Sequence, residues 1–240
     1  MKRLSRFFIS AVLVGLMVIA IPMAVLALDI NIVGPGPYVG AGLTFVDNGP
    51  GDVDPAVGAM TILAGVSTPA IPGFNLSIDT ATSNSPGGPI TSFLDLTWNL
   101  QSTGMAGGAI KITATDSGYM FPPNGTSPIL TSALQGNISS AGGQVSGQQF
   151  IYLADGSIVT PGLQGPFGPI GFSSTLSVGF TSLTPYSLQE VLNLSIAGES
   201  LTTGDFLSQS GKVPEPMSLI LLGSGLAGAG LYRRLRKPKG

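Results

Sequence analysis

Between residues 28 and 211 apolar and polar positions alternate with a period of two in a series of short runs. In Phe74-Asn-Leu-Ser-Ile-Asp79 the side chains of Phe74, Leu76 and Ile78 share one face. Leu94, Leu96, Trp98 and Leu100 do the same, with the only tryptophan of the chain on the apolar side. Ala109–Thr115, Leu176–Phe180 and Leu192–Ile196 repeat the pattern, and Leu43–Val46 reads as a further short strand. Such alternation places one face of a pleated strand on a core and the other in water. Turn formers separate the runs at Pro86–Pro89, Pro122–Gly125, Ala141–Gly143 and Pro161–Gly162. No stretch carries a sustained 3.6-residue stripe, and no internal repeat stands out. The pattern predicts an all-β domain over residues 28–199, an antiparallel β-sandwich or a jelly-roll-like barrel. Residues 200–212 are rich in Ser, Thr and Gly, and predict a flexible stalk.

The two ends follow a different pattern. Lys2, Arg3 and Arg6 precede the apolar run Phe7–Ile21; Pro22 then breaks the helix, and Val25-Leu-Ala27 offers small residues for cleavage after Ala27. This is the layout of a secretory signal peptide over residues 1–27, a signal helix that engages the Sec export machinery. At the other end Met217–Tyr232 is apolar, a helix of about 24 Å that falls short of the roughly 30 Å hydrocarbon core. Arg233, Arg234, Arg236, Lys237 and Lys239 follow it, a basic stop-transfer cluster that holds the tail in the cytoplasm. The expected precursor is therefore a transient single-pass inner-membrane protein with its domain outside.

Val213-Pro-Glu-Pro216, the short Leu/Gly-rich helix and the terminal basic cluster together resemble the PEP-CTERM sorting signal of Gram-negative bacteria. The resemblance covers residues 213–240 and implies processing by a membrane-embedded exosortase, with the domain released to the cell surface or extracellular matrix. It further implies a host that makes exopolysaccharide, with which the exported part would associate. A physical role for the motif follows from its prolines: Pro214 and Pro216 cannot continue a helix, so the strip stays extended and open to a processing enzyme, with Glu215 its one charge. Gly223-Ser-Gly-Leu-Ala-Gly228 matches the dinucleotide pattern, but follows no strand and has no acidic residue about 20 positions on. Small residues at that spacing suit close helix contact in lipid instead.

Charge narrows the function classes. Only 9% of residues are charged, against roughly 25% in an average domain. Residues 28–212 hold Lys111 and Lys212 against eleven acids, a net charge of −9. That surface repels phosphate backbones and argues against nucleic-acid binding. The chain has no cysteine and no histidine, which removes disulfides, the usual zinc sites and His-activated nucleophiles. The strand faces turned to solvent must be built from Ser, Thr, Asn and Gln, suited equally to hydrated polysaccharide and to a generic secreted surface.

Two sites of chemistry present themselves. Asp47, Asn48, Asp52 and Asp54 crowd one Gly/Pro loop and offer hard oxygen ligands for Ca²⁺, although the spacing is not that of an EF-hand. The competing reading is a tight acidic turn whose side chains cap backbone amides. Glycoside hydrolysis needs a pair of carboxylates, and the acids are spread along the chain as isolated residues. The expectation is a noncatalytic exported protein without a cofactor; a lectin-like or Ca²⁺-dependent binding module with the same export route is the alternative, and a secreted glycan hydrolase a third reading.

Overall fold

A computed structural model describes residues 28–85, 91–103, 107–139, 142–198 and 200–211. Within them the chain runs through strands β1 (Asp29–Val33), β2 (Leu43–Val46), β3 (Ala59–Leu63), β4 (Phe74–Ser83), β5 (Thr91–Ser102), β6 (Gly108–Tyr119) and β7 (Ile129–Ile138). It continues through β8 (Gln144–Tyr152), β9 (Ile158–Val159), β10 (Leu163–Phe167), β11 (Phe172–Gly179), β12 (Tyr186–Ile196) and β13 (Leu201–Gly211). One 3-10 turn at Gly36–Tyr38 is the only other regular element among the described residues. No helix among them is long and apolar enough to cross a membrane. The expected signal helix with its Ala27 cleavage site, the sorting motif, the second helix and the basic cluster all lie outside the described residues.

All strand pairs are antiparallel and form two sheets. One has the order β10-β8-β12-β6-β1-β2, with β9 paired to β8; the other has the order β11-β7-β13-β5-β4-β3. From β5 onward the pairing is nested. β5 pairs with β13, β6 with β12, β7 with β11 and β8 with β10. Successive strands of this set alternate between the sheets in the manner of a rolled-up hairpin, which is the jelly roll. The first four strands extend it: β1 and β2 add to the edge at β6, and β4 and β3 add to the edge at β5.

The core lies between the sheets and follows the predicted alternation. Phe74, Leu76 and Ile78 are buried on β4, and Leu94, Leu96, Trp98 and Leu100 on β5. Ile110, Ile112 and Ala114 on β6 meet them from the opposite sheet together with Leu188, Leu192 and Leu194 on β12. Each such side chain removed from water contributes about 1.5–3 kcal/mol, and with no disulfide this burial carries the fold.

The stalk expected at residues 200–212 is not there. Residues 201–211 form β13, paired along its whole length with both β5 and β7 at the centre of the six-stranded sheet. Thr202, Phe206, Ser208 and Ser210 are buried. The hydroxyl and glycine content that suggests flexibility reflects the neighbours instead. Gly204 sits opposite Trp98, and a Cβ there would come within 2.4 Å of the indole ring. The sandwich therefore extends to residue 211, twelve residues past its expected end.

Candidate functional site

The acidic loop between β2 and β3 brings Asp47, Asn48, Asp52 and Asp54 together, as their spacing suggests. Their oxygens are turned onto the chain itself. Asp52 Oδ2 accepts the Asn48 amide N–H at 2.9 Å, and Oδ1 accepts those of Asp54 at 2.9 Å and Thr61 at 3.0 Å. Asp47 Oδ2 accepts the Gly58 N–H at 2.7 Å, its Oδ1 accepts the Asn48 side-chain amide at 2.8 Å, and Asp54 Oδ1 accepts the Ala56 N–H at 2.9 Å. Asn48 adopts a positive φ of 57°, a conformation that Asn tolerates better than other side chains. Among the described residues no three His, Cys, Asp or Glu side chains are grouped so as to hold a metal ion. The arrangement is that of a capped turn: five backbone amides find acceptors that an irregular loop cannot supply from its own carbonyls.

A second acidic feature escapes the sequence. Asp95 on β5 and Asp205 on β13 are far apart in the chain, yet β5 and β13 pair so that Asp205 faces Thr97, one step along the same face from Asp95. Gln135 Nε2 donates to Asp205 Oδ2 at 3.3 Å, and Thr97 Oγ1 reaches Oδ1 at 3.5 Å. Asp95 Oδ1 is buried with no N–H or hydroxyl partner. Burial first, then a hydrogen bond to Asp205 and repulsion from its charge, push the Asp95 carboxyl up to about 7. The acids are thus not all isolated; only the register of the sheet reveals this pair.

A concave surface lies on the outer face of the seven-stranded sheet. Register aligns Val33, Lys111, Asn193 and Ser146 across β1, β6, β12 and β8. The next row is Ala109, Ser195 and Gln144. With Val39 and Gly40 on one bank and Pro166 on the other they line a trough of about 440 Å³. Lys111, the one cation among the described residues, is exposed at its floor. Further along the same face the Tyr152 hydroxyl donates to Gln189 Oε1 at 2.9 Å, and Gln189 Nε2 donates to Thr115 Oγ1 at 3.2 Å. Phe150 lies beside Tyr152, ring centres 6.2 Å apart. Amides, hydroxyls and one ammonium beside two aromatic rings can donate to and accept from a polyhydroxylated ligand.

The all-β jelly roll defines a class of domain but no activity; the particular family comes from the tail. The family model of the PEP-CTERM protein-sorting motif matches residues 212–237, the segment whose Pro-Glu-Pro entry and basic end carry the resemblance. Residues 212–237 thus carry a PEP-CTERM protein-sorting motif, the signal of an exosortase substrate. No curated protein matches the sequence. Solved structures to which the chain shows some similarity include the enzymatically active domain of tailspike protein 4 from bacteriophage CBA120, at 12% identity and a TM-score of 0.29 over 59% of this chain and 20% of that one. Another is the C-terminal family 22 carbohydrate-binding module of Clostridium thermocellum Xyn10B, at 11% identity and 0.28 over 64% and 82%. A third is the structure of infectious bursal disease virus, at 10% identity and 0.36 over 79% and 56%. The chain spans only a fifth of the tailspike domain. At these scores the likenesses bear on neither ligand nor activity.

Proposed function

We propose that this protein is a noncatalytic component of the cell surface or exopolysaccharide matrix, delivered through exosortase processing of its C-terminal signal. The observation that carries the reading is the sorting motif itself, which begins at residue 212, directly after the last strand of the sandwich. In this reading the Sec machinery exports the chain, the tail holds it briefly in the inner membrane, and processing releases a folded domain. The Asp95–Asp205 pair speaks against a glycosidase site at those two acids. Carboxyl groups close enough to share a hydrogen bond leave no room for a glycosidic bond, whose flanking acids stand about 5–9.5 Å apart in glycosidases.

Where the domain meets polysaccharide, the trough over Lys111 is favoured over the acidic loop. The loop's carboxylates are engaged by backbone amides, whereas Lys111, Asn193 and Ser195 stand exposed. The lectin-like alternative thus moves from the loop to the sheet face.

The C-terminal peptide of the native protein, taken from membrane and extracellular fractions of its host, tests delivery. Extracellular material ending near Val213–Pro216 is expected; a basic tail retained on every copy, all of it in the inner membrane, refutes the matrix assignment. Sedimentation with host exopolysaccharide tests the trough. Lys111→Ala with Asn193→Ala should weaken binding about tenfold, a change of roughly 1.4 kcal/mol, while Asp52→Ala should leave it unaltered. Equal binding by both variants removes the trough from the proposal.

A further inference from the structure

The interior of a two-sheet sandwich is ordinarily apolar, and here a seam of polar side chains runs through it. Ser132 on β7, Gln149 on β8, Glu190 on β12 and Ser208 on β13 are fully buried, and Gln164 on β10 is 2% exposed. Gln164 Nε2 donates to Ser132 Oγ at 2.5 Å, a contact between the two sheets. The Ser208 hydroxyl donates to Glu190 Oε1. Register places Ser132 beside Ser208 and Glu190 beside Gln149. Yet Gln164 Oε1, Glu190 Oε2 and both amide atoms of Gln149 are buried without a partner. Natural cores rarely leave such atoms unpaired, so several in one place call for an explanation.

The groups are those of an acyl transfer. A serine hydroxyl is the nucleophile, a carboxamide one bond from the contact atom is the electrophile, and a carboxylic acid stands within the same buried seam. We propose that Ser132 and Gln164 form an intramolecular ester that staples the two sheets together. Ser132 Oγ adds to the Gln164 carboxamide carbon. The hydroxyl proton leaves by way of Glu190, which returns a proton to the departing nitrogen. The new bond is Oγ–Cδ, the broken bond is Cδ–Nε2, the leaving group is ammonia, and Glu190 is restored. No oxidant or other reactant is needed. Burial pushes the Glu190 carboxyl well above the usual carboxylate range, so it enters as a proton donor able to polarise a carboxamide and protonate its departing nitrogen. The product removes a buried hydroxyl and a buried amide nitrogen from the core. In a chain without cysteine it supplies the cross-link that disulfides give other exported domains.

Mass spectrometry of the full-length chain, purified folded and incubated near neutral pH, tests this. The expected mass is about 17 Da below that of the unmodified sequence, one ammonia. Succinimides at Asn48–Gly49 or Asn124–Gly125 would lose the same mass, so the decisive readout is a digest. A chymotryptic digest, which cuts between the two residues at Phe150 and Tyr152, should contain one branched peptide joining Ser132 to Gln164, which dilute hydroxylamine at neutral pH splits at the ester under conditions too mild to cleave Asn–Gly bonds. Ser132→Ala and the near-isosteric Gln164→Met should each abolish the joined peptide, with Trp98 fluorescence confirming that the variants fold. Glu190→Gln should slow its formation at least tenfold. Recovery of the Ser132 and Gln164 peptides separate and unmodified from folded wild-type protein overturns the proposal and leaves the seam as a site for buried water. A joined peptide that persists in Ser132→Ala reassigns the nucleophile and overturns it equally.

Discussion

Replacing Gly204 by Ala separates a stalk from a core strand by the size of its effect. In a flexible stalk, equally free in the folded and unfolded protein, the added methyl would leave stability close to unchanged. In β13 the methyl would stand 2.4 Å from the Gln135 carbonyl oxygen and 2.4 and 2.5 Å from two ring carbons of Trp98. Neither neighbour can move cheaply: the carbonyl belongs to the β7 backbone, and Trp98 is 1% exposed, sealed on every side. Inserting a methylene into a well-packed core typically costs about 1–3 kcal/mol. With two rigid neighbours the upper end applies, about 3 kcal/mol, or a fall in Tm of about 6–12 °C for a domain of this size. Urea unfolding followed through the fluorescence of the sole tryptophan measures this directly, because Trp98 is itself the obstructing residue. A Cm equal to or above that of the wild type would refute the placement of residues 201–211 at the centre of the sheet.

Other outcomes follow from the two acidic features. Asp95 titrates near 7 in the folded chain and at about 3.9 in the unfolded one, so the native state holds the extra proton between these values. Stability should therefore fall as pH rises from 4 through 7, and Asp95→Asn should flatten the slope. Because Asp95 is only partly buried, screening reduces the effect to about 1 kcal/mol, readable as Tm against pH; a slope that persists in the variant would refute it. Asp52→Ala strips the acceptor from three amide N–H groups and should cost about 2 kcal/mol. Addition of millimolar Ca²⁺ should not alter the Tm of the wild type, and a rise that Asp52→Ala abolishes would restore the loop as a cation site.

The strands legible in the sequence are those whose inward positions are uniformly apolar. Phe74, Leu76 and Ile78, and then Leu94 through Leu100, announce β4 and β5 without ambiguity. β7, β8 and β13 are silent for a physical reason: their inward residues include Ser132, Gly147, Gln149, Thr202, Gly204, Ser208 and Ser210. Polar or absent side chains at core positions erase the period-two contrast that betrays a half-buried strand. The misreading of residues 200–212 and the polar seam in the core therefore have one origin. Asp95 and Asp205 were hidden differently. Each is an ordinary outward polar residue on its own strand, and only long-range register, which alternation does not encode, makes them neighbours. The loop residues Asp47–Asp54, in contrast, were legible as a cluster because they are close in sequence; what the sequence left open was whether their oxygens face a cation or the backbone.

The position of β13 has a consequence for how folding and sorting are ordered. As the partner of both β5 and β7, it closes the jelly roll, and without it the six-stranded sheet would split into β11-β7 and β5-β4-β3 with new exposed edges. The sandwich cannot be completed until residue 211 is free to pair, which on the proposed export route follows its passage through the inner membrane, and the sorting motif begins at residue 212. With no spacer between them, a motif presented to a processing enzyme sits next to a strand that is either paired or unpaired. A chain whose β13 is unpaired presents unpaired backbone from residue 201 up to the motif, whereas in the folded domain residues 201–211 are held in the sheet. The same junction thus ends the fold and starts the signal, so variants that loosen β13, Gly204→Ala among them, should alter the yield of processed protein even though they leave residues 213–240 unchanged.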